Sequence, residues 1–288
     1  MARFFGQYLL EKGLLSREQL LEAISRQRSK TEKLGELAIK KGYISPVEVE
    51  VIRQEQQHVD LFFGELAVKL GYLSLAQVNE LLNMQRASHV FLGEIIAKLG
   101  YLTEAAVQHE LEIFRKDEGD SPENFESLSL PEGAPHGEVL KLVADLARKH
   151  FRRVGDLKVK IFKAVEEATS LANPFIGSSI DVKGDLGALL LLRVSDQTAS
   201  YVVEHFGSLS GMEKNPELLK DAIAEFFNIF CGNLMTKFLE IGKSCDISVP
   251  NTYLESEMNS FAVPAGKRAF TLPIHTPEGS ASITLISA

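Results

Sequence analysis

The chain has no tryptophan and only 2 cysteines in 288 residues. Cys231 and Cys245 cannot build a disulfide framework, and they lack the paired spacing of a zinc site. The 7 histidines are scattered, and His109 beside Glu110 is the nearest approach to a ligand pair, so no metal or other cofactor of its own is expected. No apolar run reaches the roughly 18 residues that mark a membrane span. The opening MARFFGQYLLEKG is too brief and too polar for a secretory leader, which makes the cytoplasm the expected compartment, without membrane insertion. A basic excess is also missing. The formal net charge is −8, which argues against nucleic acid as a partner, because phosphate binding needs a clustered basic face. The acid is unevenly placed: residues 116–136 hold 1 basic and 6 acidic groups, against 14 and 15 in residues 1–115.

What is present is an ordinary globular composition, 45% hydrophobic and 24% charged, in a length that suits two domains. Glycines at 6, 35, 64 and 93, and again at 13, 42, 71 and 100, give a period of 29 residues with an internal spacing of 7. Such a repeat is the signature of a stacked helical architecture. Each copy reads as two helices, the second glycine falling where a helix end needs a left-handed residue. Ser16, Ser45, Ser74 and Thr103 then offer hydroxyl caps. Ser16 with Gln19, Ser45 with Glu48 and Ser74 with Gln77 form capping boxes, and Pro46 takes the first helical position. Copies one to three close with Gln27, Gln56 and Gln85; the fourth has Phe114. Residues 1–115 are thus expected to be an all-α domain of four helix-turn-helix repeats.

Residues 116–136, rich in acid, Pro, Gly and Ser, read as a flexible linker. Beyond them the period changes. GEVLKLVADLARKHFRRV is an amphipathic helix, LKVKIFKAVE alternates like a strand, and SSIDVKGDLGALLLLRVS reads as two strands turned at Gly184 and Asp185. A helix follows to Phe206, then a long one from about Leu218 to Ile241, then CDISVP. The end RAFTLPIHTPEGSASITLIS closes as a hairpin across Pro277 and Gly279. Residues 137–288 are therefore expected to be an α/β domain of α+β style.

Within the long helix, DAIAEFFNIFCGN is the unusual stretch. At about 100° per residue, Asp221, Glu225, Asn228 and Gly232 share a narrow arc, while Ala222, Ile223, Phe226, Phe227, Ile229 and Phe230 take the other faces. One reading is a solvated edge of a buried helix. The other is a site, because asparagine and glycine are both poor choices for a helix interior, and Gly232 invites the close approach of another backbone or a partner.

The pattern Asp221-x3-Glu225-x2-Asn228-x3-Gly232-Asn233, followed by CDISVP ending at Pro250, resembles the signature of the CheX/CheC family of chemotaxis phosphatases. The strand-turn-strand-helix order around the Gly184-Asp185 turn is similar as well, and the single Glu-x-x-Asn copy is like the CheX branch. That resemblance implies hydrolysis of the aspartyl phosphate on a response-regulator receiver domain. Asn228 would orient the attacking water and Glu225 would pair with the receiver's lysine, with Asp221, Gly232, Asn233 and Pro250 supporting the docking. Mg2+ would belong to the receiver, and a homodimer is implied.

The 29-residue copies resemble the MshEN-like N-terminal domain of type II secretion and type IV pilus ATPases, some of which bind cyclic di-GMP. Here the candidates are Arg3, Gly6, Gln27, Lys33, Gly35 and Gln56. The position where those domains usually carry arginine holds Phe4, Lys33, Phe62 and Phe91 instead, and arginine at such a position stacks on or hydrogen-bonds a guanine. A protein-docking module is thus the other reading of the repeats. For the whole chain, the alternative to a phosphatase is a non-enzymatic adaptor tied to pilus or secretion machinery.

Overall fold

The computed structural model describes residues 4–88, 90–118, 128–161, 163–166, 176–206, 215–254 and 263–287. They fall into two compact units, within Arg3–Ser121 and within Pro122–Ala288.

In the first unit each copy gives a short helix and a longer one. The short helices are α1 (Phe5–Glu11), α3 (Leu34–Lys40), α5 (Phe63–Lys69) and α7 (Leu92–Lys98); the longer are α2 (Arg17–Lys30), α4 (Pro46–Glu55), α6 (Leu75–Ala87) and α8 (Glu104–Glu118). Gly13, Gly42, Gly71 and Gly100 end the short helices at φ between 69° and 79°, the left-handed conformation that glycine adopts without steric cost. The three capping boxes form as the sequence predicts, and Thr103 Oγ1 accepts from the Ala106 amide at 3.2 Å.

The copies do not stack in chain order. Copy 2 packs on copy 3 around Leu37, Ile52, Leu66 and Leu81, and copy 1 on copy 4 around Tyr8, Leu9, Ile95 and Ile96. Each pair is reciprocal. A Cβ on Gly35 would lie 3.2 Å from Phe63, and one on Gly64 would lie 3.2 Å from Leu34, the same position in the partner copy; Gly6 and Gly93 face Leu92 and Phe5 in the same way. The closing glutamines follow suit. Gln27, Gln56 and Gln85 donate to the carbonyls of Val90, Leu61 and Glu32 at 2.8, 3.1 and 2.9 Å. Each of those carbonyls stands three residues before the partner copy's first glycine.

The second unit holds α9 (Gly137–Arg153), β1 (Ile176–Gly184), β2 (Ala188–Val194), α10 (Asp196–His205), α11 (Pro216–Glu240), β3 (Cys245–Ile247), β4 (Asn251–Leu254), β5 (Arg268–His275) and β6 (Ser280–Ser287). The sheet is antiparallel in the order β3-β1-β2-β6-β5, with β4 also on β1. One sheet face, through Ile180, Leu190, Leu192, Phe270, Ile283 and Leu285, shares a core with Val143, Ala147, Phe151, Phe226 and Phe230 of α9 and α11.

Two expectations are corrected and one element is added. Residues 116–136 are not all linker: α8 runs to Glu118, Leu128 is buried in the second unit's core, and the Ser129 carbonyl accepts from the Ala164 amide at 2.8 Å. LKVKIFKAVE is no strand among the described residues. Its backbone meets β5 at the isolated bridges Lys160↔His275 and Val165↔Thr271, and Arg268 of β5 donates to Glu166 at 2.7 Å. The amides of Thr271 and His275 point to this outer edge, so that of Pro273 would too, and proline has none to give. Lastly, CDISVP is followed by a strand the sequence did not suggest. β3 and β4 form one edge interrupted by a bulge, since Ile247 and Asn251, four residues apart, pair with Val182 and Ser179, three apart.

Candidate functional site

The long helix α11 has defined ends. Asn215 caps its start by accepting from the Leu218 amide at 2.8 Å, with Pro216 at the first position. Gly242 at φ 74° closes it, with the Lys243 amide returning to the Phe238 carbonyl at 2.8 Å. Between these ends Leu219, Ala222, Ile223, Phe226, Phe227, Phe230, Leu234 and Phe238 are buried. Their spacing commits most of the circumference to the core.

The remaining strip carries the predicted residues. Asp221, Glu225 and Gly232 are exposed and Asn228 is half-buried. Glu225 and Asn228 are three residues apart, about 4.5 Å along the axis, and project to the same side. Among the described residues, neither they nor Asp221 have a hydrogen bond or ion pair, so the carboxylate and the amide are available to a visitor. Among the described residues, nothing beyond the adjoining turns of the helix lies within 4 Å of a Cβ built on Gly232. The glycine is therefore not required by packing against the described residues. Farther along the strip Leu239 is 69% exposed, and Val249 in the β3–β4 bulge is 80% exposed.

Two supporting residues lie off the exposed strip. Asn233 is buried at 8% exposure, because one step past Gly232 turns the helix by about 100° away from the strip. Pro250, which ends CDISVP, lies in the β3–β4 bulge; it is half-buried, on an edge where a missing amide costs least. Cys231 is fully buried and free, and burial pushes its thiol pKa well up; Cys245 is also free.

In the first unit, Gly6 and Gln27 sit against copy 4, while Gly35 and Gln56 sit against copy 3. Lys33 caps the start of α3, its amide donating to Glu36 at 3.0 Å. Arg3 lies outside the described residues. Glu110 of the His109–Glu110 pair accepts from Tyr8 at 2.7 Å and from Lys12 at 2.8 Å, and Lys12 is the first cause of its lowered carboxylate pKa. No group of side chains suited to a metal ion occurs among the described residues. No helix among them is long and apolar enough to cross a membrane.

The segment from β1 to β5 now has a known counterpart. Residues 176–275 match the family model described as Chemotaxis phosphatase CheX. The matched region includes all of α11 and Pro250, and it ends with β5. The match does not reach the N-terminal repeats. Among solved structures, CheX from Desulfovibrio desulfuricans is 13% identical, with a TM-score of 0.47 over 52% of this chain and 99% of that one. The CheX-CheY-BeF3-Mg+2 complex from Borrelia burgdorferi aligns at 19% identity and TM-score 0.42, covering 52% and 96%. FliY from Thermotoga maritima aligns at 14% and 0.41, covering 53% and 87%. No curated protein matches the chain.

Proposed function

We propose that the C-terminal unit hydrolyses the aspartyl phosphate of a response-regulator receiver domain, with Asn228 and Glu225 as its working groups. The observation that carries this reading is the exposure of these two side chains, one turn apart on an otherwise packed helix, inside the region that matches the CheX model. An acyl phosphate is already activated. Its hydrolysis needs a water held in line with phosphorus more than it needs a covalent nucleophile. The water oxygen forms a bond to phosphorus as the bond to the aspartate oxygen breaks, and the aspartate leaves as a carboxylate that requires no general acid. The water's protons pass to the released phosphate and solvent. A neutral amide suits this task, since it can accept from the water and donate to a phosphoryl oxygen without repelling the anion. Glu225 takes the receiver's lysine and fixes the docking register. The Mg2+ of the reaction belongs to the receiver.

In this reading the protein acts in the cytoplasm as a homodimer, and the N-terminal repeats are a protein-docking scaffold that governs where the phosphatase works. What supports the scaffold is that Gly6, Gln27, Gly35 and Gln56 are taken up by contacts between copies. Titration calorimetry with cyclic di-GMP separates this from a nucleotide site built on Arg3, Gly6, Gln27, Lys33, Gly35 and Gln56: the scaffold gives no heat.

The decisive experiment is phosphate release from a panel of receivers charged with acetyl phosphate. The wild-type chain accelerates release from its cognate receiver, and Asn228→Ala still binds but loses the acceleration, about 100-fold being the scale for a lost positioning group. Equal rates for the two proteins reject the assignment and leave the non-enzymatic adaptor.

A further inference from the structure

His150 belongs to α9, outside the CheX match, and nothing above gives it a role. It is completely buried. Its ring lies 4.4 Å from that of Phe226 and 5.5 Å from that of Phe230, between centroids. Its Nε2 is 2.8 Å from the main-chain oxygen of Phe226. A carbonyl can only accept, so Nε2 carries the proton and donates it. Nδ1 is buried and without a hydrogen-bond partner among the described residues. Desolvation, reinforced by nearby Arg153, pushes the ring's pKa down to about 3, so the imidazole is neutral at physiological pH.

For packing alone this is a costly choice. The surroundings are aromatic, with Phe151 and Phe206 also against Phe226, and a phenylalanine would fill the space without stranding a lone pair. What the imidazole adds is direction. Apolar contacts hold two helices together without fixing their rotation, whereas a hydrogen bond to a single peptide does fix it. That peptide carbonyl belongs to the residue directly after Glu225 and two before Asn228. A carbonyl has two lone pairs, so the Phe226 oxygen can accept from His150 and keep its place in the helix ladder. A rotation of about 15° would carry a side-chain tip near 6 Å from the axis through roughly 1.5 Å, enough to spoil a water-positioning geometry.

We propose that His150 is a positioning residue, which through its bond to the Phe226 carbonyl sets the rotation of α11 and thereby the aim of Glu225 and Asn228. The inference rests on the phosphatase reading above. Its test compares three variants of the full chain with a receiver charged by acetyl phosphate. His150→Phe keeps the packing and loses the bond; it folds as well as wild type, and its kcat falls about tenfold with KM within about twofold. His150→Gln places an amide nitrogen near the former Nε2 and recovers most of kcat, while the shorter His150→Asn does not. Histidine nitrogen-proton NMR gives a readout free of turnover: a neutral Nε2–H tautomer that persists below pH 5. The inference is overturned by His150→Phe with undiminished kcat, by Gln rescuing no better than Asn, or by the Nδ1–H tautomer. Should Asn228→Ala itself stay active, the phosphatase reading fails first, and the NMR result still decides whether the tether exists.

Discussion

A methyl group added at Gly232 should do two opposite things. Among the described residues it meets open space, since nothing beyond the adjoining helical turns lies within 4 Å of the new carbon, and the residue sits in the interior of a 25-residue helix. Replacing glycine by alanine there removes backbone freedom from the unfolded chain and adds about 1 kcal/mol to stability. For a unit of this size that raises the melting temperature by about 2–4 °C. On the docking face the same methyl stands one turn beyond Asn228, where a partner that comes close to the backbone has no room for it. Calorimetry of Gly232→Ala and phosphate-release kinetics together read both effects. The expected pair is a higher Tm and a KM raised about tenfold, the scale of one lost close contact. A lower Tm would mean that the position is not open, and a higher Tm with unchanged KM would mean that the partner never approaches Gly232.

Other perturbations test the remaining structure. Gly64→Ala would set its new carbon 2.8 Å from Val78 and 3.2 Å from Leu34, so overpacking should outweigh the gain in helix propensity and cost the first unit about 1–2 kcal/mol, measured by urea denaturation. Removing the donor in Gln27→Leu leaves the Val90 carbonyl without that bond and should cost about 1 kcal/mol by the same assay. Acid should act through His150, whose pKa is about 3 in the folded state against 6.5 for the free group. Because the depressed base binds its proton in the unfolded chain first, its contribution is intact above pH 6.5 and drains away as pH falls toward 3. The loss is on the order of 4 kcal/mol, so wild type should lose more stability than His150→Phe between pH 7 and 4.

The features legible in the sequence were those fixed locally. The left-handed glycines, the serine caps and the proline at the start of α4 each act within one turn, and so the copies and their helices could be drawn from the text alone. The strip on α11 was legible for the same reason, because helical spacing decides which residues share a face. Pairing was not. All four copies carry the same apolar face, and nothing local tells copy 1 to choose copy 4 over its neighbour. The alternation in LKVKIFKAVE suggested a strand, yet its fate was decided by Pro273 about a hundred residues later. Asn233 enters through the Gly232-Asn233 pair of the signature resemblance, although a single helical step separates solvent from core. His150 gave no signal at all, since a lone histidine in an amphipathic helix reads as a polar interruption until its neighbour from α11 is known.

The nested pairing of the repeats has a kinetic consequence. Copies 2 and 3 are contiguous, so their union closes only a short stretch of chain, whereas joining copy 1 to copy 4 must first bring together ends separated by both inner copies. Loop-closure entropy puts the inner partnership ahead of the outer one in time. Truncating the last copy would therefore do more than shorten the array: it would leave the first with a bare apolar surface and nothing to clasp, while the central partnership kept its own protection against hydrogen exchange.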